Sequence, residues 1–393
     1  MGMKRIYLDA GFRPNPLYRE LVSCPPEGYE FITSSSSWQK KVGGMARKRL
    51  PFVFLSQLDS AVPFNLVRAW LQGFRHIPRD VDLIYSCGLL VFTRKPWIVD
   101  QEYVNLLIGS NLNLFRRFKG VIEKAFASDY CKKVICWSEV AKKVILSNLN
   151  CERFQDKLET VYFAIRKKDF IKSYNGDRIK LLFVGSANLP GEFEIKGGRE
   201  AMEAFILLKK RYSNIDLVIR SDIPPDIKRQ YAGMENVRMI ENVLPREMLE
   251  HEYKSADIFI LPAHNTPWMV PLEAMSYELP VVTIDAWGNP EIVEDGKTGL
   301  LVKKSEKLRY YTDNFLPYFG TRDFAQAIKA PDPKVIAELA EKTGILIENA
   351  ELRRKMGQAG RQEVEKGKFS IETRNEKLRN IFDEATGGKN KEG

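Results

Sequence analysis

Three histidines and five cysteines in 393 residues leave little from which to build a metal centre. Cys24, Cys87, Cys131, Cys136 and Cys151 stand neither at metal-ligand spacing nor in the even framework of a disulfide-stapled fold. No metal and a reducing, cytoplasmic setting are the expectations. Long hydrophobic runs are missing as well. No stretch approaches the roughly 18 apolar residues that a spanning helix requires. The opening MGMKRIYLDAGFRP holds an apolar run too short for a secretory leader and reads as a first strand. What is present is a globular composition, 44% hydrophobic and 28% charged, on a chain long enough for two cores. The net charge of +10 is unevenly spread: residues 1–172 carry 28 Lys and Arg against 16 Asp and Glu, leaving 33 against 35 for the rest. A basic first half suits an anionic surface or acceptor, and equally a solvated face.

Short apolar runs alternate with longer amphipathic ones, the pattern of βαβ units on a parallel sheet. KRIYLDA, YEFIT, PFVFLSQ, VDLIYSC, PWIVDQ, KVICWS and LETVYFA read as strands of a first half, with VPFNLVRAWLQGF and LFRRFKGVIEKAF as helices between them. IKLLFVGS restarts the rhythm, and IDLVIRS, VRMIENV, DIFILPA, LPVVTID and GLLVK continue it. The polar stretch 165–178 between the two series is the expected hinge. Domains are therefore expected at 1–170 and 171–368, with a C-terminal helix at about 369–386 packing back on the first. Residues from about 303 to 333 follow no clear pattern. Two stretches mix basic residues with Trp or Phe, 34–52 and 111–126, as segments resting on anionic lipid do. The second reads equally as an amphipathic core helix.

The chemistry concentrates in residues 256–302, which read strand, loop, helix, strand, loop, short helix, strand. Pro271 suits the first turn of a helix, where its missing N–H costs nothing. The loop before it aims backbone amides over the sheet, and the natural occupant is an anion such as a diphosphate. Met269 and Val270 lie in that loop. Glu273, near the same helix terminus, can hold a diol such as a ribose or simply cap the helix.

This segment resembles the signature of retaining GT-B-fold glycosyltransferases of the family 4 type, also described as glycosyl transferases group 1. In that signature two glutamates eight positions apart flank a donor-binding helix, and a Pro-Glu-Ile-Val stretch follows. LEAMSYELPVVT and NPEIVEDGKTGLLV fit the pattern, and Glu273 matches the second glutamate. Asn265 occupies the first position, so no carboxylate is available there, although an amide still bonds sugar hydroxyls. His264, beside it, is either a substitute contact or a plain loop histidine. LLFVGSANLPGEFEIKGGREAMEAFILL resembles a second family block, a strand ending in Gly before a basic residue, then Lys-Gly opening a helix. Lys196 and Gly197 match, whereas Ser186 stands where the family has arginine, leaving Arg199 as a possible replacement. Residues near Glu241–Leu244, with Asn242 and Val243, would line the base pocket.

The resemblance implies an α/β GT-B fold, two Rossmann-like parallel-sheet domains facing across a cleft. It implies metal-independent, retaining transfer from a nucleotide sugar such as a UDP- or GDP-sugar, which is a substrate, with no cofactor. Gly11, in the turn after the first strand, either lets the backbone approach the donor phosphates or is simply a turn glycine, and Asp100, Gln101 and Glu102 occupy the region where many relatives place a histidine. Glu102 can orient an acceptor hydroxyl or serve structure. Catalytic roles fall to Glu102, Asn265 and Lys196, and the acceptor is a glycan or lipid-linked sugar. A cytoplasmic setting, or a peripheral one at the inner face of the cell membrane, is expected. Non-catalytic binding of a nucleotide sugar or nucleic acid and nucleotide-sugar epimerisation are the alternatives, and nucleic acid is not an expected partner.

Overall fold

The computed structural model describes residues 2–9, 18–33, 62–72, 77–109, 111–174, 176–187, 191–311, 315–318 and 321–387. The expected strand PFVFLSQ, the 34–52 stretch and Gly11 lie outside them.

A first sheet is built from β1 (Lys4–Asp9), β2 (Tyr29–Thr33), β3 (Leu83–Cys87), β4 (Trp97–Gln101), β5 (Cys131–Cys136) and β6 (Leu158–Thr160), in the order β2-β1-β3-β4-β5-β6. All its pairings are parallel. Side chains alternate across a strand, so successive residues enter opposite cores. Tyr7, Ile84, Trp97, Val99 and Val134 face one, and Ile6, Leu8, Leu83, Tyr85, Ile98 and Ile135 face the other. Both faces are apolar because both are covered, as parallel sheets require. The short helices α1 (Arg19–Ser23) and α2 (Phe64–Gln72) flank this sheet. Two longer ones cover the first core. α3 (Leu112–Ala127) starts where the Asn111 side chain accepts the amides of Asn113 and Leu114, and α4 (Glu139–Asn148) is capped by Ser138 through the Ala141 amide. α3 spends Phe115, Ile122 and Phe126 on the core, so the apolar side of residues 111–126 serves packing. A helix formed by Ile371–Ala385 covers the second core with Leu378, Ile381 and Phe382.

The second sheet contains β7 (Ile179–Val184), β8 (Ile215–Arg220), β9 (Val237–Ile240), β10 (Ile258–Leu261), β11 (Val281–Asp285) and β12 (Gly299–Lys303). Its order is β12-β11-β10-β7-β8-β9, again all parallel. Read from the other edge this is the Rossmann order, with the chain reversing direction of growth between β7 and β10. The connections carry α5 (Glu192–Ile195), α6 (Gly198–Lys209), α7 (Pro225–Gln230), α8 (Arg246–Ser255), α9 (Met269–Ser276) and α10 (Asn289–Ile292). Beyond β12 come α11 (Arg322–Ala327), α12 (Pro333–Glu348) and α13 (Ala350–Glu365), then the terminal helix, α14. Among the described residues no helix is long and apolar enough to cross a membrane.

The chain divides into two compact units, residues 1–163 with 311–317 and 371–393, and residues 164–310 with 318–370. The junction thus falls at 163/164, before residue 170. Residues 165–172 are already tied to the second unit. Ile165 donates to the Phe369 carbonyl, Arg361 to those of Lys168 and Phe170, and Lys172 to those of Lys254 and Ala256. The irregular region resolves as a short return to the first unit, in which Leu316 is buried.

Candidate functional site

In open parallel sheets ligands bind beyond the carboxyl ends of the strands where the strand order reverses. In the second unit that point lies between the segments following β7 and β10. Gly197 takes φ 77° at the start of α6, and a Cβ there would run into the Pro262 carbonyl. This close approach, open only to glycine, brings the neighbouring Lys196 to the loop after β10. Lys196 Nζ lies 3.0 Å from Asn265 Oδ1 and 3.7 Å from Glu192 Oε2, and the residue is only 8% exposed. It is a buried cation held by the Asn265 amide and the Glu192 carboxylate.

His264 behaves differently from its neighbour. Its ring is buried, with Nε2 2.9 Å from Glu200 Oε1 and Nδ1 3.1 Å from the Tyr310 hydroxyl. Its backbone N–H donates to the Ile195 carbonyl and its carbonyl accepts Trp287 Nε1–H. The expected alternative of a substrate contact is therefore corrected: His264 pins the loop that presents Asn265. Asn289, in the Asn-Pro-Glu-Ile-Val stretch, adds bonds to the carbonyls of Ala263 and Ile284, and Thr266 accepts the Gly288 amide. Glu200, Trp287 and Tyr310 went unnoticed in the sequence because nothing local marks them.

The helix after this loop begins at Met269, two residues before the expected Pro271, which sits third. Val270 N–H is taken by the Pro267 carbonyl. Proline at the third position brings no N–H donor of its own to that turn. Glu273 is half-buried on α9, 3.8 Å from Lys168 Nζ. Its charge, after burial itself, helps hold the Tyr253 phenol above its ordinary pKa. Tyr253 stacks on Tyr277, their centroids 5.4 Å apart.

Arg199 does not supply the missing cation. Its guanidinium binds Asp226 at 2.8 Å and Glu194 at 3.1 Å. Ser186 is held by its carbonyl, which accepts the Asp222 amide and the Ser221 hydroxyl. Asn242 and Val243 form an exposed turn after β9, on the same carboxyl edge as the loops after β7 and β10.

In the first unit the three candidates at the end of β4 take separate fates. Asp100 is buried, accepting the Tyr18 hydroxyl at 2.8 Å and the Tyr85 hydroxyl at 3.0 Å. Burial pushes its carboxyl up to about 7 in spite of these bonds. Gln101 is buried with Nε2 near Cys136 Sγ. Gln101 and half-buried Glu102 line a cavity of about 280 Å³ with Tyr18, Asn65, Arg68 and Trp137. Among the described residues no group of His, Cys, Asp and Glu is placed to hold a metal ion.

Two doubly wound parallel-sheet units make this chain a GT-B fold. Residues 178–313 match the family described as glycosyl transferases group 1. The capsular polysaccharide biosynthesis glycosyltransferase CapM of Staphylococcus aureus is 24% identical over 246 residues, covering 60% of this chain and 52% of CapM. The chain thus spans about half the length of that relative. A sucrose-phosphate synthase from Thermosynechococcus elongatus superposes with a TM-score of 0.61 at 13% identity, covering 98% of this chain and 100% of the other. HepE of Anabaena, solved with UDP and glucose, gives 0.59 at 13% identity, covering 97% and 99%. At such identities these two structures speak for the fold.

Proposed function

We propose that the protein is a retaining glycosyltransferase that moves a sugar from a nucleotide-sugar donor to an acceptor hydroxyl. The observation that carries this reading is the Lys196–Asn265 pair at the reversal point of the second sheet, inside the stretch that matches glycosyl transferases group 1. Cleaving a sugar–phosphate bond builds negative charge on the departing diphosphate. A preorganised cation in a site already stripped of water lowers that barrier without reorganisation. Lys196 has that character. Asn265 orients it and keeps an N–H₂ group for sugar hydroxyls. Glu273, the fifth residue of α9, takes the ribose diol, and the exposed turn at Asn242 and Val243 takes the base. The departing phosphate itself receives the acceptor proton on the same face of the sugar, so no metal and no protein nucleophile are required. Glu102 and the cavity around it receive the acceptor. The basic first half suits an anionic acceptor or the inner face of a membrane, and glycolipid or cell-surface glycan synthesis is the setting this favours.

A thermal-shift screen across UDP-, GDP- and ADP-sugars identifies the donor, since a ligand that binds only the native state raises the melting temperature. With that donor, Lys196→Ala and Glu273→Ala are expected to lower turnover about 100-fold or more. Sugar transfer or donor hydrolysis surviving both changes would sink the assignment.

A further inference from the structure

Arg220 closes β8 in register with Val184, the last residue of β7. One guanidinium nitrogen donates to the Gly185 carbonyl at 2.8 Å, while Nε is shielded from solvent and has no hydrogen-bond partner. Burial works against its charge, and among the described residues it joins no ion pair. Several other arginines of this unit are matched with acids, Arg178 with Asp216, Arg199 with Asp226, Arg238 with Glu252, Arg361 with Glu278, whereas Arg229, Arg309 and Arg354 are exposed to solvent. Arg353 lacks an acid but donates to the last carbonyls of α12, at Leu346 and Ile347, where a helix C-terminus welcomes a cation. Arg220 has no such terminus. A guanidinium keeps its charge at any ordinary pH, and a desolvated charge without a counter-charge is destabilising. Among the described residues none supplies a counter-charge to the half-buried Arg220, which leaves it available to an anionic ligand.

The strand order says where it would lie. Along the carboxyl edge β9, β8, β7 and β10 follow one another. Arg220 therefore stands between the Asn242–Val243 turn and the loops bearing Ser186, Lys196 and Asn265. We propose that Arg220 is a donor-binding residue that grips the nucleoside diphosphate together with Lys196. It stands in, from the adjacent strand, for the cation absent at Ser186. This rests on the donor site proposed above and adds a contact to it.

The test uses the full chain and the nucleoside diphosphate, of UDP, GDP and ADP, that binds it most tightly by titration calorimetry. Arg220→Gln, which keeps a donor for the Gly185 carbonyl, is expected to weaken that affinity about tenfold or more. Its ligand-free melting temperature should stay level or rise, because an uncompensated charge has gone. Adding Ser186→Arg to Arg220→Gln should restore much of the affinity. Wild-type affinity in Arg220→Gln overturns the inference and leaves the donor site standing. So does weakened binding that comes with a lower melting temperature and is not recovered by Ser186→Arg, since that marks a structural residue. If none of the three diphosphates binds the wild-type chain, the donor site falls and this contact with it.

Discussion

Asp100 carries a carboxyl that burial displaces upward. Folded, it holds its proton up to about pH 7, whereas an exposed aspartate releases it near 3.8. Its contribution to stability is therefore fully present below pH 3.8 and is lost as pH rises through 7, on the order of 4 kcal/mol over that window. Asp100→Asn, which needs no proton, should flatten this dependence. The melting temperature of the variant is expected to differ less between pH 4.5 and 7.5 than that of the wild type, and an equal difference would refute the assignment. The sequence brought Asp100, Gln101 and Glu102 into view as a group but could not say which turns inward. That depends on Tyr18 and Tyr85, far apart along the chain. The same holds for His264 and Asn265. Their opposite roles are set by Glu200 and Tyr310, 64 and 46 residues away from the histidine.

Elements were easier to read, since alternating apolar runs imprint a parallel sheet directly on the chain. Strands of the second unit fall where the pattern puts them, Lys196 and Gly197 meet the loop after β10 that bears Asn265, and Glu273 lies on α9. Starts and stops were harder. The α9 helix begins at Met269 because its first turn closes through Val270 and Pro267, a bond no local residue preference announces. The start of α6 depends on one backbone conformation. Gly197→Ala places a side chain at φ 77° against the Pro262 carbonyl, a strain of about 1–3 kcal/mol before any clash is relieved. The variant should melt at a lower temperature and bind nucleoside diphosphate more weakly, because Lys196 moves with the turn. Unchanged melting would show that the two loops are free to separate.

Across the whole molecule, the sequence leads one to expect two α/β halves with a C-terminal helix returning to the first, but gives no sign that residues 311–317 return as well. Residues 311–317 and α14 belong to the first unit although most of the second precedes them. Buried contacts made by three or four side chains of a short segment leave no periodic trace long enough to assign. α14 buries Leu378, Ile381 and Phe382, each worth about 1.5–3 kcal/mol. Removing residues 371–393 should abolish the melting transition of the first unit and spare that of the second. Persistence of both transitions would mean that the helix is dispensable.

Ribosomal synthesis delivers these parts in an awkward order. The second core of the first sheet, with Ile6, Leu8, Leu83 and Ile98, is made early together with Leu21 of α1 but lacks Leu378, Ile381 and Phe382 until α14 emerges. The second unit, assembled largely from consecutive residues, can finish first, while the older half waits with its sheet face open to misassembly or chaperones.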